Sequence, residues 1–360
     1  MGTSRISLED FKEMCEDFYP GQTEYTKKEF LRVARERNIT VPMKAYENKV
    51  YNGRPAKFSL VNDSMLSMAK IDKKEIIVNE SGYDAYIPKK NDYFVSHGTN
   101  YKIINEVVKT KEFFPMYVYG VSGLGKTLQI EQACSINKRP FFRVQITKDT
   151  TNEDLIGCYS LVDGNTVWCD GPVLMAYRSG GILLLDEIDL NSSLMILQVV
   201  LENKPIYITQ TGELVYPKSG FNVFATGNSK GDGTEARFVG TTILNDAFLE
   251  RFVTIIEQKI PTIATEEKII KRYMELEGIT LDKEIYDSFI RWVDYVRQSY
   301  KDGNVEIYIS TRRVQYILKI YKVTKNFTKS MEVALARYPD EEVDSFMKYW
   351  AALYNEKSKA

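Results

Sequence analysis

The 360-residue sequence contains few of the residues that metal centres and disulfide frameworks require, with four cysteines and one histidine. No C-x-x-C spacing occurs among Cys15, Cys134, Cys158 and Cys169, so we expect neither structural zinc nor a disulfide scaffold. We expect the thiols to be reduced. No apolar run approaches the roughly 20 residues of a membrane span, and the first residues are polar and mixed in charge, unlike a secretory signal. The sequence therefore predicts a cytoplasmic protein without a membrane partner.

The sequence also lacks an excess of charge of either sign. Lysine and arginine total 48, and aspartate and glutamate total 49, which leaves a formal net charge of -1. Because nucleic-acid binding relies on clustered positive charge, and no basic stripe with stacking aromatics is evident, a nucleic-acid partner is not expected. At 44% hydrophobic and 27% charged residues, the composition is that of an ordinary globular protein.

Three segments differ in their sequence pattern. Residues 1–85 predict a small, mainly helical module, in which Thr26 and Glu29 form a capping box. Residues 86–261 alternate short apolar strands with helices, which is typical of a parallel α/β sheet, and residues 262–360 are almost wholly helical. The predicted strands are Met116–Tyr119, Phe141–Ile146, Ile182–Leu185, Phe221–Ala225 and Val253–Ile256.

A phosphate-binding loop follows the first of these strands. The pattern G-x-x-x-x-G-K-[ST] is met in full between an apolar strand and a helix, the context that gives this pattern its meaning. Lys126 is expected to reach the β- and γ-phosphates of ATP, and the Thr127 hydroxyl to bind Mg²⁺. The predicted nucleotide-binding residues are Gly120, Val121, Ser122, Gly123, Leu124, Gly125, Lys126, Thr127 and Leu128.

Two carboxylates end the strand that begins at Ile182. The carboxyl ends of buried parallel strands meet in the crevice where α/β proteins bind ligands. We expect Asp186 to hold Mg²⁺ through its water shell, and Glu187 to orient and deprotonate the water that attacks the γ-phosphate. With the phosphate loop about sixty residues earlier, the pair predicts ATP hydrolysis rather than a structural ATP-binding role.

Four further polar residues are candidates for the predicted site. Asn228 ends the next strand and can hydrogen-bond the attacking water or the γ-phosphate. Arg251, near the end of a helix, can neutralise charge that develops on the γ-phosphate, either in its own subunit or in a neighbour. Arg312 and Arg313, at the start of a C-terminal helix, are further candidates for contact with the γ-phosphate.

Two hairpins are predicted within the α/β segment. Asp163-Gly164 and Thr211-Gly212 are each flanked by β-prone residues, as in two-residue hairpin turns. A compact nucleotide-binding core does not require either hairpin. They are candidates for moving or gripping parts, with solvated decoration as the open alternative.

In this order, the motifs resemble those of AAA+ ATPases of the MoxR, or dynein-related, branch, and within it the CobS-type ATPase subunit of cobaltochelatase. The resemblance covers about residues 92–313. The segments that carry it are Gly120–Thr127, Ile130–Gln132, Arg143–Gln145, Asp154–Gly157, Asp170–Pro172, Leu185–Glu187, Ala225–Asn228 and Leu249–Phe252.

The resemblance implies a fold and a set of roles. The fold is an AAA+ P-loop α/β core, whose five-stranded parallel sheet has the order 5-1-4-3-2 and is flanked by helices, with a C-terminal helical lid. Asp186-Glu187 matches Walker B and Asn228 sensor 1, while Arg251 matches an arginine finger that acts on a neighbouring subunit and Arg312 the sensor 2 position. The two hairpins match the helix-2 insert and the insert before sensor 1.

The resemblance also implies ATP and Mg²⁺ as cofactors, a homohexameric ring, and a protein partner with a von Willebrand A domain. Two departures from the family pattern are visible. Gln145 stands where relatives often carry asparagine, and Ser310-Thr311 precedes Arg312 where Ser-Pro-Arg is more usual, which leaves sensor 2 open between Arg312 and Arg313. Alternative functions are a cobalt chelatase subunit and a nucleic-acid motor or restriction-type translocase.

Overall fold

The computed structural model describes residues 4–5, 8–20, 22, 24–37, 39–41, 49–50, 57–59, 80–96, 98–162, 165–231 and 242–357. The chain divides into two compact units, Met1–Val78 and Asn79–Ala360. The predicted boundaries near residues 85 and 261 remain predictions.

Two helices and five short strands make up the described part of the first unit. The helices are α1 (Leu8–Phe18) and α2 (Lys27–Glu36), and the strands are β1 (Ser4–Arg5), β2 (Glu24–Thr26), β3 (Ile39–Thr40), β4 (Lys49–Val50) and β5 (Lys57–Ser59). Strands β1 and β3 pair in parallel, and β2, β5 and β4 form an antiparallel sheet.

The capping box predicted for α2 is present. The Thr26 backbone N–H donates to Glu29 Oε2 at 2.5 Å, and the Glu29 backbone N–H donates to Thr26 Oγ1 at 3.4 Å. Phe11 of α1 packs edge to face on Phe30 of α2, and both rings are fully buried. The helices of this unit were thus predictable, whereas its strands, each of two or three residues, were too short to leave a sequence pattern.

The second unit begins with a 3₁₀ helix at Glu80–Tyr86. Its α-helices are α3 (Gly98–Thr110), α4 (Lys126–Ile136), α5 (Asn152–Ile156), α6 (Pro172–Ser179), α7 (Ile196–Leu201), α8 (Asp246–Leu249), α9 (Ile263–Glu277), α10 (Lys283–Lys301), α11 (Thr311–Thr324), α12 (Phe327–Leu335) and α13 (Asp340–Lys357). Its strands are β6 (Met116–Tyr119), β7 (Phe141–Gln145), β8 (Gly157–Val162), β9 (Asn165–Asp170), β10 (Ile182–Asp186), β11 (Ile206–Ile208), β12 (Glu213–Val215), β13 (Asn222–Gly227) and β14 (Thr254–Glu257).

Five of these strands form one parallel sheet in the order β14-β6-β13-β10-β7. In the sequence order of the five strands this is 5-1-4-3-2, which confirms the predicted AAA+ topology. The ends of the strands differ from the predicted ones by at most two residues.

Both faces of the sheet are covered, as the apolar sequence of the central strand requires. On β10, Leu183 and Leu185 face a core that includes α6 and α7, while Ile182 and Leu184 face a second core that includes α3 and α4. All four side chains are fully buried. With both faces occupied, the strands' carboxyl ends are the part of the sheet left to bind a ligand.

Both predicted hairpins are formed by antiparallel pairs, β8 with β9 and β11 with β12. The turn of the second includes Gly212, whose φ of +70° favours glycine. The turn Asp163-Gly164 of the first lies outside the described residues. The hairpins are in contact, because the Tyr159 hydroxyl donates to the Gln210 carbonyl at 3.0 Å.

Helices α9 to α13 form a lid with its own core around Trp292 and Trp350. A buried ion pair joins Arg297 of α10 to Glu266 of α9 at 2.9 Å, and the Thr311 hydroxyl of α11 donates to the same carboxylate oxygen at 2.9 Å. A buried charge is tolerated only when it is paired, so this contact fixes where α11 begins. No helix in the described part of the chain is long and apolar enough to span a membrane.

Candidate nucleotide-binding site

The loop between β6 and α4 depends on glycine at two positions. Gly120 has φ +143°, and a Cβ there would lie 2.6 Å from the Gln258 carbonyl oxygen. Gly123 has φ +83°, and a Cβ there would lie 2.8 Å from Ser310 Cβ at the start of the lid helix α11. The glycines thus let the loop pass closely under both the sheet edge and the lid.

Lys126 lies inside this loop with only 9% of its surface exposed. Its ammonium donates to the carbonyl oxygens of Gly120 at 2.6 Å and Val121 at 3.2 Å, and to Asn228 Oδ1 at 3.4 Å. Burial lowers the pKa of Lys126 to about 8, although nearby carboxylates, Asp189 foremost, act in the opposite direction. Because burial disfavours the charged form, an anion such as a phosphate would stabilise the ammonium.

Asp186, at the end of β10, accepts hydrogen bonds on both oxygens. Thr127 Oγ1 donates to Oδ1 at 2.9 Å, and Thr226 Oγ1 donates to the same oxygen. Arg143, on the neighbouring strand β7, approaches Oδ2 with Nε at 2.9 Å and a terminal nitrogen at 2.5 Å. The carboxylate predicted for the metal thus lies beside the hydroxyl predicted for the same metal.

Glu187 follows in a left-handed conformation, with φ 60° and ψ 43°. This backbone conformation is uncommon outside glycine. Its Oε2 accepts a hydrogen bond from Gln145 Nε2 at 3.1 Å. Gln145, the residue that departs from the asparagine of relatives, therefore contacts the predicted catalytic carboxylate.

Asn228 is positioned by a fully buried carboxylate, that of Asp189. Asp189 Oδ2 accepts from the backbone N–H of Asn228 at 2.8 Å, and from the backbone N–H of Ser229 at 2.9 Å and its hydroxyl at 3.1 Å. Three donors on one oxygen hold the chain after β13 in a fixed conformation. The Asn228 side chain consequently stays within hydrogen-bonding distance of Lys126.

These side chains border one cavity of about 610 Å³, a volume typical of small-molecule sites. Residues of the phosphate loop, Asp186, Glu187 and Asn228 line its polar side. Apolar and aromatic residues from the segment before α3 and from around α9 line another part, namely Phe94, Val95, Pro261, Ile269 and Tyr273. The nucleotide cavity, as we call it, thus joins a charged end to an apolar one.

The two lid arginines point in different directions. Arg312 lines the nucleotide cavity together with Thr311 and Gln315. Arg313 instead donates to the Ala334 carbonyl at 3.0 Å and lies over the ring of Tyr316, with its guanidinium carbon 5.3 Å from the ring centroid. Of the two candidates left open by the sequence, geometry favours Arg312 for contact with a ligand.

Arg251 does not line the nucleotide cavity. Its Nε donates to Glu202 Oε1 at 2.8 Å, and it also donates to the Ala247 carbonyl one helical turn earlier. The side chains of Arg251 and Glu202 remain 25% and 42% exposed. Like Arg313, Arg251 is thus a predicted site residue that the described fold of a single chain does not bring to the cavity.

Sequence reasoning gave no role to Asp189, Thr226 or Arg143. Asp189 follows Asp186 by three residues, but an Asp-Glu-Ile-Asp run does not reveal which carboxylate is buried. Thr226 and Arg143 reach Asp186 from the two strands that flank β10, so their contact depends on strand order. Only the topology of the sheet could have identified them.

Comparison with known proteins agrees with this geometry. Residues 115–252 match the family described as AAA domain (dynein-related subfamily). Protein NorQ of Paracoccus denitrificans is 29% identical over 224 residues, 61% of this chain and 78% of its own length. The aerobic cobaltochelatase subunit CobS of a Sinorhizobium species is 27% identical over 242 residues, 64% of this chain and 71% of its own length.

Among solved structures, the RuvB Holliday junction branch migration motor of Thermotoga maritima aligns with 69% of this chain and 72% of its own, at 18% identity and a TM-score of 0.42. The fold and the site define a nucleotide-binding ATPase with a phosphate loop. More narrowly, residues 115–252 form a AAA domain of the dynein-related subfamily, and the chain is similar to NorQ and CobS. The resemblance read from the motifs is therefore confirmed.

Proposed function

We propose that this protein binds ATP with Mg²⁺ in the nucleotide cavity, hydrolyses it as a ring of identical subunits, and uses the energy to remodel or activate a protein partner in the cytoplasm. The observation that carries the proposal is the 2.9 Å contact between Thr127 Oγ1 and Asp186 Oδ1, with Lys126 and Glu187 bordering the same cavity. The arrangement brings a phosphate-binding cation, two oxygens suited to a metal and a second carboxylate into one place.

In this proposal, the phosphate loop from Gly120 to Leu128 holds the phosphates. Its backbone N–H groups and the start of α4 favour negative charge, and Lys126 supplies the counter-charge. Arg312 adds a second cation from the lid side of the cavity. The apolar end is suited to the base of the nucleotide.

The chain's residues fit a Mg²⁺ ion by their chemistry. Hydroxyl and carboxylate oxygens such as Thr127 Oγ1 and Asp186 Oδ1 are hard donors that Mg²⁺ prefers. Among the described residues, no group of three or more His, Cys, Asp or Glu could hold a metal, so water and phosphate would supply the ion's other ligands. When bound, Mg²⁺ neutralises charge on the β- and γ-phosphate oxygens.

We assign the chemical step to Glu187, which accepts a proton from the attacking water. Gln145 holds one oxygen of this carboxylate at 3.1 Å and so sets its direction. Asn228, held by Asp189 through the backbone, lies beside Lys126 and orients the water or the γ-phosphate from there. General-base catalysis of this kind contributes about 10²- to 10⁴-fold to a rate.

We assign Arg251 to the nucleotide of the neighbouring subunit. Its absence from the lining of its own cavity supports a role on the phosphates of an adjacent subunit. This assignment makes hydrolysis depend on assembly into a ring, for which we propose a homohexamer.

The proposal is tested with Glu187→Gln. We expect phosphate release to fall about 10²-fold or more while ATP stays bound, since the amide cannot accept the proton but keeps the shape of the site. Phosphate release and retained nucleotide are measured on the purified protein. Glu153→Gln, the same change at an exposed position of α5, is the matched control and should leave both unchanged. Undiminished phosphate release by Glu187→Gln would refute the assignment.

The Glu187→Gln protein also tests the partner. Because it holds ATP without turnover, it should retain the partner complex in a pull-down, and Lys126→Ala protein should not. We expect the retained protein to carry a von Willebrand A domain. Retention of nothing specific, or the same proteins with both variants, would contradict partner remodelling while leaving ATP hydrolysis intact.

A second candidate function is that of a cobalt chelatase subunit, because one relative is the cobaltochelatase subunit CobS. ATPase activity stimulated by a large chelatase subunit and cobalt would support this function. Indifference to them would exclude it. The nucleic-acid motor predicted as a further alternative is tested by DNA stimulation that falls steeply with salt.

A further inference from the structure

Two of the four cysteines lie opposite each other in the β8–β9 hairpin. Cys158 on β8 is the direct partner of Cys169 on β9 in the antiparallel register. Both thiols are free and exposed, while Cys15 and Cys134 are buried elsewhere. Side chains directly opposite in an antiparallel ladder emerge on the same face, so these two thiols face the same solvent.

The register that pairs the two cysteines is fixed by close packing on either side. A Cβ at Gly157 would lie 2.2 Å from the Cys169 carbonyl oxygen, and one at Gly171 would lie 2.5 Å from the Leu155 carbonyl oxygen. The backbone N–H of Gly171 donates to the Ile156 carbonyl at 2.7 Å, which extends the ladder beyond the strands. The strands β8 and β9 therefore cannot slide past each other at this point without a clash.

The opposite face of the hairpin anchors it to the α/β core. Trp168, next to Cys169, is only 5% exposed, and its ring packs edge to face on Tyr159, next to Cys158. Trp168 Nε1 also donates to Asp170 Oδ1 at 2.8 Å. Because strand side chains alternate in direction, burial of Trp168 requires the two cysteines to stay on the outer face.

The spacing of such a pair suits a disulfide. Directly opposite Cα atoms in an antiparallel ladder are about 4.5–5.5 Å apart, within the range of about 4.4–6.8 Å that a disulfide spans. The bond can thus form without moving the strands. In a compartment that keeps thiols reduced, a bond of this kind serves as a transient, redox-responsive modification.

We propose that Cys158 and Cys169 are a reversible oxidation site that reacts with low-molecular-weight disulfides to form an intramolecular cross-strand disulfide. The thiolate of one cysteine attacks the small disulfide, which forms a mixed disulfide and releases one small thiol. The thiolate of the other cysteine then attacks the protein sulfur and releases the second small thiol. Two protein thiols are oxidised, one small disulfide is reduced to two thiols, and the two protons pass to the thiols released.

The probe is oxidised glutathione, applied to the folded, full-length protein in a buffer that also contains reduced glutathione. After free thiols are alkylated, peptide mass spectrometry is expected to find the Cys158 peptide linked to the Cys169 peptide, with Cys15 and Cys134 alkylated only after denaturation. Burial raises the pKa of Cys15 to about 12 and raises that of Cys134 as well, so these two thiols are internal controls for specificity.

Single variants test whether the two cysteines act together. In Cys158→Ser or Cys169→Ser, the remaining thiol has no partner and should stay as its glutathione adduct. In the protein that retains both cysteines, the glutathione adduct should be at least about tenfold scarcer, because the second thiol displaces glutathione from it. Equal adduct in all three proteins, or links that join two protein molecules, would overturn the proposal. The readout is chemical, so it is independent of ATP hydrolysis.

Discussion

The nucleotide cavity and the surface around Arg251 differ in how far one chain completes them. In the cavity, Thr127 of α4 already contacts Asp186 at the end of β10, and Lys126 of α4 contacts Asn228, which follows β13. Arg251 instead contacts Glu202 and its own helix, at a partly exposed position. A single chain thus forms the nucleotide-binding cavity. In our proposal, the arginine that completes the active site, Arg251, comes from the neighbouring subunit.

The largest effect is expected from Arg251→Ala. A guanidinium that neutralises charge on the γ-phosphate contributes about 10³- to 10⁵-fold to phosphoryl transfer, so ATPase activity should fall by about 10³-fold while ATP binding is kept. Mixing this variant with Lys126→Ala protein should restore part of the activity, because the first supplies intact cavities and the second supplies intact arginines. Steady-state phosphate release and nucleotide affinity are measured on the same samples.

Arg291→Ala is the matched control for this change, since Arg291 is an exposed arginine on α10. It should leave both activity and binding unchanged. Normal ATP turnover by Arg251→Ala protein alone would show that the nucleotide cavity is catalytically complete without Arg251. Loss that mixing cannot restore would instead place Arg251 in its own subunit's site.

The next effect concerns Lys126 and pH. Its pKa of about 8 in the empty protein lies below the ordinary value of 10.5, so between these values the folded chain binds fewer protons than the unfolded chain. This residue therefore adds stability to the empty protein as pH rises through that window. Phosphate binding favours the charged form, so nucleotide affinity should fall with pH above about 8.

The fall should approach tenfold per pH unit, or about 10²-fold between pH 8 and pH 10, in a titration with a fluorescent nucleotide. Lys126→Arg is the control, because arginine stays charged throughout this range and should show a flatter profile whatever its affinity at pH 7. Identical slopes for the two proteins would show that another group governs the pH dependence.

Much of the cavity was predictable from sequence because its residues are tied to local patterns. The loop glycines, Lys126 and Asp186 belong to strand-loop-helix and strand-end motifs, and parallel strands bring such ends together. Asp189 and Arg143 were not predictable in this way, since their roles depend on burial and on which strands are neighbours. The pairing of Cys158 with Cys169 depends on the register of the β8–β9 hairpin. The sequence predicted the turn of this hairpin but not its register.

A smaller effect separates the two lid arginines. Arg312→Ala should lower ATP affinity or turnover about tenfold, as expected when one charged hydrogen-bond donor is lost from a phosphate site. Arg313→Ala should leave the nucleotide site unchanged and lower the thermal unfolding temperature instead, because its guanidinium binds the Ala334 carbonyl and the ring of Tyr316. Nucleotide titration and thermal unfolding of both variants distinguish these outcomes, and reversed results would reverse the assignment.

The smallest effect is expected from Glu202→Gln, which tests whether the surface contact restrains Arg251. A partly exposed ion pair is worth at most about 1 kcal/mol, or about fivefold, and salt screens it. If Glu202 holds Arg251 away from a neighbour's phosphates, the variant should hydrolyse ATP up to about fivefold faster at limiting protein concentration, and high salt should erase the gain. Glu153→Gln again serves as the control. A loss of ATPase activity as large as that of Arg251→Ala would mean that Glu202 positions the arginine for catalysis. One chain would then arrange the surface around Arg251 as completely as it arranges the nucleotide cavity.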